Sequence, residues 1–96
     1  DLWLLRFYRG LAYLEAGFGA EALDEFTACN DRRGEASAIF LDDLPTYRYM
    51  ATLQYWIGRA QLEVGMLHDA RQNFMSFAAR RPEGDALAED ARERMR

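Results

Sequence analysis

Ninety-six residues, half of them hydrophobic and 14% aromatic, are enough for one small domain with a core and exclude a disordered chain. A net charge of −4 with a pI near 4.9 argues against nucleic-acid binding through a basic face. No apolar run approaches the roughly 18 residues of a membrane span and no signal-peptide pattern is visible, so no membrane contact is expected.

A lone Cys29 has no second thiol for a disulfide and no nearby His for a metal, so no metal or cofactor is expected and a reducing, cytoplasmic setting is the default. The chain opens at Asp1 without Met and reads as a piece of something longer, outside which a targeting segment could lie. All twelve basic residues are Arg. The planar guanidinium fork suits carboxylates, but genome composition gives the same bias equally well.

The first predicted helix covers residues 2–16, LWLLRFYRGLAYLEA. It is apolar almost all round, with only Arg6, Arg9 and Glu15 charged, and must be covered on more than one side. Gly17 is its natural C-terminal cap and Phe18-Gly19 completes the turn. A second helix follows over 20–33, with Glu21 in the first turn and a buried stripe of Ala22, Phe26 and Cys29, flanked by Leu23. Arg32-Arg33-Gly34 ends it. The Arg pair reads first as favourable C-terminal charge and second as a ligand site.

Residues 35–43, EASAIFLDD, admit three placements: a continuation of the second helix, a short helix of their own, or an extended cover over the hairpins. Asp42-Asp43-Leu44-Pro45 signals a helix start, and the Asp pair lacks the third ligand that a metal reading needs. The third helix is then expected over 45–64, its first half loaded with Tyr47, Tyr49, Tyr55 and Trp56. A turn at Val64-Gly65-Met66-Leu67 leads to a fourth helix over 68–81. His68 stands at that turn without a nucleophile beside it. Pro82-Glu83-Gly84-Asp85 breaks the chain, and Asp85 caps a last helix over 86–95 whose thin apolar stripe is Ala86, Leu87, Ala91 and Met95.

The chain also repeats itself. A shift of 48 carries Leu5, Gly10, Ala12, Leu14, Glu15, Gly17, Ala22, Phe26, Arg32 and Arg33 onto identical residues, ten matches in the 29 positions from 5 to 33. Such a period decides the fold before any local preference does. Small residues, Gly58, Ala60 and Ala70, stand where helices approach closely, and Phe74 fills the space one turn after Ala70.

These residues resemble the tetratricopeptide repeat family. Gly10, Tyr13, Ala22 and Phe26 match its unit in one copy, and Gly58, Ala70, Phe74 and Pro82 in the other. Departures are Trp56 two residues before Gly58 rather than four, Gln61 for the helix A aromatic, Gly34 for the closing Pro, and Cys29 and Phe77 at the small position late in helix B. The resemblance implies an all-α fold of two antiparallel helix hairpins stacked as a short right-handed solenoid. Repeat one is 1–34, an insertion 35–48, repeat two 49–82 and a polar capping helix 83–96. Residues 32–61 also resemble, more distantly, repeat regions in the tails of bacterial serine/threonine kinases and related regulators.

In the family's register the concave face would be Leu4, Phe7, Leu11 and Leu14 on the first helix and Thr52, Tyr55, Arg59 and Leu62 on the third, each set at a spacing of 3, 4 and 3. Such a groove implies a protein-interaction module of a larger, regulatory bacterial protein. It would take an apolar or helical peptide or partner protein and offer Arg59 to a carboxylate. The alternative is homo-oligomerisation, a homodimer whose second copy covers the apolar faces. A small enzyme would need a nucleophile, base or metal cluster, and only the isolated Cys29, His68 and Asp42/Asp43 are present, so no enzyme activity is expected.

Overall fold

The computed structural model describes residues 2–33 and 44–96, with 44–47 as backbone only. Five helices and no strand occur among the described residues: α1 Leu2–Glu15, α2 Gly19–Asp31, α3 Leu44–Glu63, α4 Leu67–Ala79 and α5 Ala86–Arg94. The protein is all-α. α1 packs on α2 and α3 on α4 as two hairpins; α2 joins them by packing on α3, and α5 covers α4. No described helix is long and apolar enough to cross a membrane.

Both hairpins turn in the same way. Gly17 and Gly65 hold φ of +88° and +85°, a region that side-chain-bearing residues avoid. The Gly17 N–H donates to Leu14 O at 3.1 Å and the Phe18 N–H to Tyr13 O at 2.8 Å. Forty-eight residues on, Gly65 donates to Leu62 O at 3.2 Å and Met66 to Gln61 O at 2.9 Å. This bond pair satisfies the last carbonyls of α1 and α3 and reverses the chain within three residues.

The hairpin cores match as closely. A Cβ added at Gly10 would sit 2.5 Å from Phe26 Cε1, and one at Gly58 2.9 Å from Phe74 Cε1. Each ring therefore lies against the bare backbone of the facing helix. Phe7 and Phe26 have centroids 5.8 Å apart at 55°, and their counterparts Tyr55 and Phe74 are 5.9 Å apart at 53°. At another matched pair the sizes exchange. The first copy carries Trp3 and Cys29, with Trp3 Nε1 donating to Cys29 O at 2.8 Å, and the second carries Ala51 and Phe77.

Between hairpins, α3 meets α2 along Met50, Leu53, Ile57, Ala60 and Val64, a 3-4-3-4 spacing that keeps one seam facing its neighbour. At the end of that seam Gly19 lets α2 come so close that an added Cβ would lie 2.7 Å from Glu63 Cβ. The matching position in the second copy is Leu67, which is exposed. α5, only 9 residues long, stops short of it.

Several boundaries move. α3 runs from Leu44 to Glu63, within a residue of the helix expected over 45–64, so that residues 44–48, also counted with the insertion, are its opening turns. The expectations for 34–43, including the Asp42-Asp43 cap, lie outside the described residues. α2 starts at Gly19 rather than 20, because Gly19 packs on α3 instead of finishing the turn. In α5 the buried residues are Ala88 and Ala91, and Ala86 is exposed. Asp85 fixes that phase: its Oδ2 accepts from the Ala88 N–H at 3.0 Å and its Oδ1 from Arg81 Nη2 at 3.0 Å. With the start pinned there, Leu87, Ala88, Ala91 and Met95 share the inner face.

Candidate interaction groove

On the side where α1 and α3 are neighbours, Leu11, Leu14, Glu15, Trp56 and Arg59 line a depression of about 350 Å³. Leu11 and Arg59 are counterparts under the 48-residue shift, so the two copies place an apolar and a cationic side chain at one shared point. The Arg59 guanidinium is held over two rings, 5.7 Å from the Trp56 centroid and 5.9 Å from that of Tyr55. Its Nη1 donates to Tyr55 Oη at 3.1 Å. The cation–π contacts and the bond to Tyr55 hold the guanidinium at the edge of the depression.

The eight residues expected on the concave face divide. Leu11, Leu14 and Arg59 come together in this depression. Leu62 instead joins Ala70, Phe74 and Met95 in a separate pocket of about 290 Å³ rimmed by His68, Arg71 and Arg94. Leu4 is half-buried against the first hairpin's core. Phe7 and Tyr55, 0% and 2% exposed, are core residues and line no groove. Phe7 stacks on Trp3 at 5.6 Å and on Tyr49 at 4.9 Å, and Tyr55 packs on Phe74 and Phe77. Thr52 also turns inward, donating to Tyr49 O at 2.8 Å and accepting from Trp56 Nε1 at 3.2 Å. The ring that does line the groove is Trp56, one residue from the expected Tyr55. The 3-4-3-4 seam was the signal that could have found it, because that seam sets which side of α3 meets α2.

Tyr55 has a structural task. Its Oη donates to Asp90 Oδ2, and Arg94 Nε donates to the same oxygen at 2.6 Å, so one carboxylate clamps α5 to α3. Burial raises the Tyr55 pKa, and the Asp90 hydrogen bond, which needs the neutral phenol, raises it further. For Asp90, burial pushes the carboxyl up, but the hydrogen bonds from Tyr55 and Arg94 and the charges of Arg94 and Arg59 outweigh it, and its pKa falls below the ordinary value. A third surface, about 530 Å³ and polar, is lined by Asn30, Gln54, Asn73, Ser76 and Arg80. There Asn73 bridges the helices, donating to Gln61 Oε1 at 2.7 Å and accepting from Gln54 Nε2 at 3.2 Å.

The residues weighed for chemistry stay apart. Cys29 is fully buried, and burial followed by the nearby Glu25 charge pushes its thiol up to about 11, so it is no thiolate at neutral pH. His68 is exposed in the first turn of α4. Among the described residues no group of three His, Cys, Asp or Glu side chains is placed to hold a metal. No family model, curated protein or solved structure matches the chain.

Proposed function

We propose that this chain is a tetratricopeptide-like interaction module, working in the cytoplasm within a larger regulatory protein of bacterial type and having no catalytic role of its own. Its groove takes a short peptide segment of a partner protein. An apolar side chain of that segment lies on Leu11, Leu14 and Trp56, and a carboxylate meets Arg59. The observation that supports this reading is Arg59, held over Trp56, beside an apolar depression lined from both copies of the repeat. Glu15 on the rim repels a second acid, which favours a segment with a single acidic residue beside its apolar anchor. Self-association is favoured by a different surface, the far side of α1.

An array of short synthetic peptides, probed with the labelled protein, tests the reading. Peptides pairing one large apolar residue with an adjacent acid should bind, and Arg59→Ala and Leu11→Glu should each abolish that binding while circular dichroism stays helical. A protein that retains no peptide, or whose binders ignore both substitutions, has no such groove.

A further inference from the structure

The seam that joins the two hairpins exists twice. Along α3 and its last turn the positions are Met50, Leu53, Ile57, Ala60 and Val64; Leu53 and Ala60 are buried, Met50 and Ile57 half-buried, and Val64, at the end of the seam, is 39% exposed beside Gly19. The same positions in α1 are Leu2, Leu5, Arg9, Ala12 and Ala16, also at 3-4-3-4 spacing. Leu53 is 0% exposed, whereas its counterpart Leu5 is 53% exposed and Leu2 is 50% exposed. Ala60 is likewise buried, and its counterpart Ala12 is exposed. The centre of the seam, Leu53 and Ala60, is thus buried in one copy, and its counterpart, Leu5 and Ala12, is open in the other.

The geometry points to a second copy of this chain as the occupant, through an antiparallel two-fold pairing of α1 with its equivalent. The open seam is self-complementary in that direction alone. Leucines stand at its N-terminal half and alanines at its C-terminal half, so antiparallel pairing sets Leu2 over Ala16 and Leu5 over Ala12 in both directions, with Arg9 at the axis. Large meets small at each level and the helix spacing stays constant. A parallel pair would face Leu with Leu at one end and Ala with Ala at the other, and its axes would splay. Antiparallel alignment also opposes the helix dipoles favourably.

Arg9 is compatible with that axis because its Nε is paired with Glu25 Oε2 at 2.6 Å, which draws the charge toward α2 and offsets it. Head-to-tail growth is blocked at the other end, where α5 covers α4 and buries Ala88 and Ala91. The pairing therefore closes at two copies. It leaves Leu11 and Arg59 accessible, since they lie on the opposite side of α1 and on α3, and it holds whether or not the groove binds peptide.

Stable complexes bury roughly 1,200 Å² or more; a pairing along one helix of about four turns is expected to be weaker, so sedimentation must extend to high protein concentration. The mass should climb from 11.1 kDa toward twice that value, and Leu5→Glu, at an exposed position that the fold does not need, should weaken association by at least about tenfold through a buried unpaired charge. Register is read by cross-linking under mild oxidant. Arg9→Cys should give a disulfide-linked dimer, whereas Leu5→Cys alone should not, because the two copies of residue 5 would stand about 11 Å apart along the axis. Leu5→Cys mixed with Ala12→Cys should link. A strict monomer at every concentration, a dimer indifferent to Leu5→Glu, or efficient self-linking of Leu5→Cys would each overturn the proposal.

Discussion

At the scale of single residues, the two hairpins are governed by glycines facing rings. Alanine is the better helix former by about 1 kcal/mol, so Gly10→Ala and Gly58→Ala would stabilise α1 and α3 if only the local chain mattered. The rings decide otherwise. A methyl 2.5 Å from Phe26 or 2.9 Å from Phe74 cannot be housed without moving a buried ring, and overpacking of that kind costs about 1 to 3 kcal/mol. Urea unfolding should show both substitutions destabilising, Gly10→Ala more so. A stability gain at either site would mean that the ring is able to give way. These contacts were legible in part: the sequence marks Gly58 and Ala70 as places of close approach and sets Phe74 beside Ala70, but the seat of the ring on Gly58 shows only when the two helices face each other. The exchange of Trp3 and Cys29 for Ala51 and Phe77 was not legible, since it becomes visible only when the facing helices are in place.

Among the elements, α5 depends most on ionisation. Its hold on α3 combines a neutral phenol with an ionised carboxylate. The lowered Asp90 pKa means that its contribution is complete above the ordinary carboxylate range, near pH 4, and is lost as pH falls through the lowered value. The raised Tyr55 pKa means that its contribution is complete below about pH 10 and is lost as pH rises through the raised value. Protection of the α5 amides, taken against the intrinsic exchange rate at each pH, should therefore be greatest between these limits and fall at both ends ahead of α1 to α4. Tyr55→Phe should flatten the alkaline limb and cost about 1 kcal/mol, discounted because Asp90 is partly exposed. An α5 whose protection on acid titration falls no earlier than that of α1 to α4 would show that the clamp contributes nothing. The sequence announces this helix through Asp85, but not its anchor. Tyr55 and Asp90 are 35 residues apart, and no local pattern ties a tyrosine of α3 to a carboxylate of α5.

For the molecule as a whole, the shift of 48 made the hairpins and their order readable, and the groove only in part. Leu11, Leu14 and Arg59 do meet in one depression, whereas Phe7 and Tyr55 are core rings and Trp56 takes the groove position; one residue is a turn of about 100° about the helix, and the phase of α3 is set by its 3-4-3-4 seam with α2, which the family's register does not supply. The same shift sets Gly19 against Leu67, and that difference reaches beyond the single chain. A tandem array made by concatenating the α3–α4 hairpin through the 32–43 connection would be wedged open at every junction by Leu67, whereas Leu67→Gly would let successive units seat as α3 seats on α2. Melting temperature should then climb with unit number in the glycine array and stay level in the leucine one. One side chain at the head of α4 would thus determine whether further hairpins can be added to this architecture.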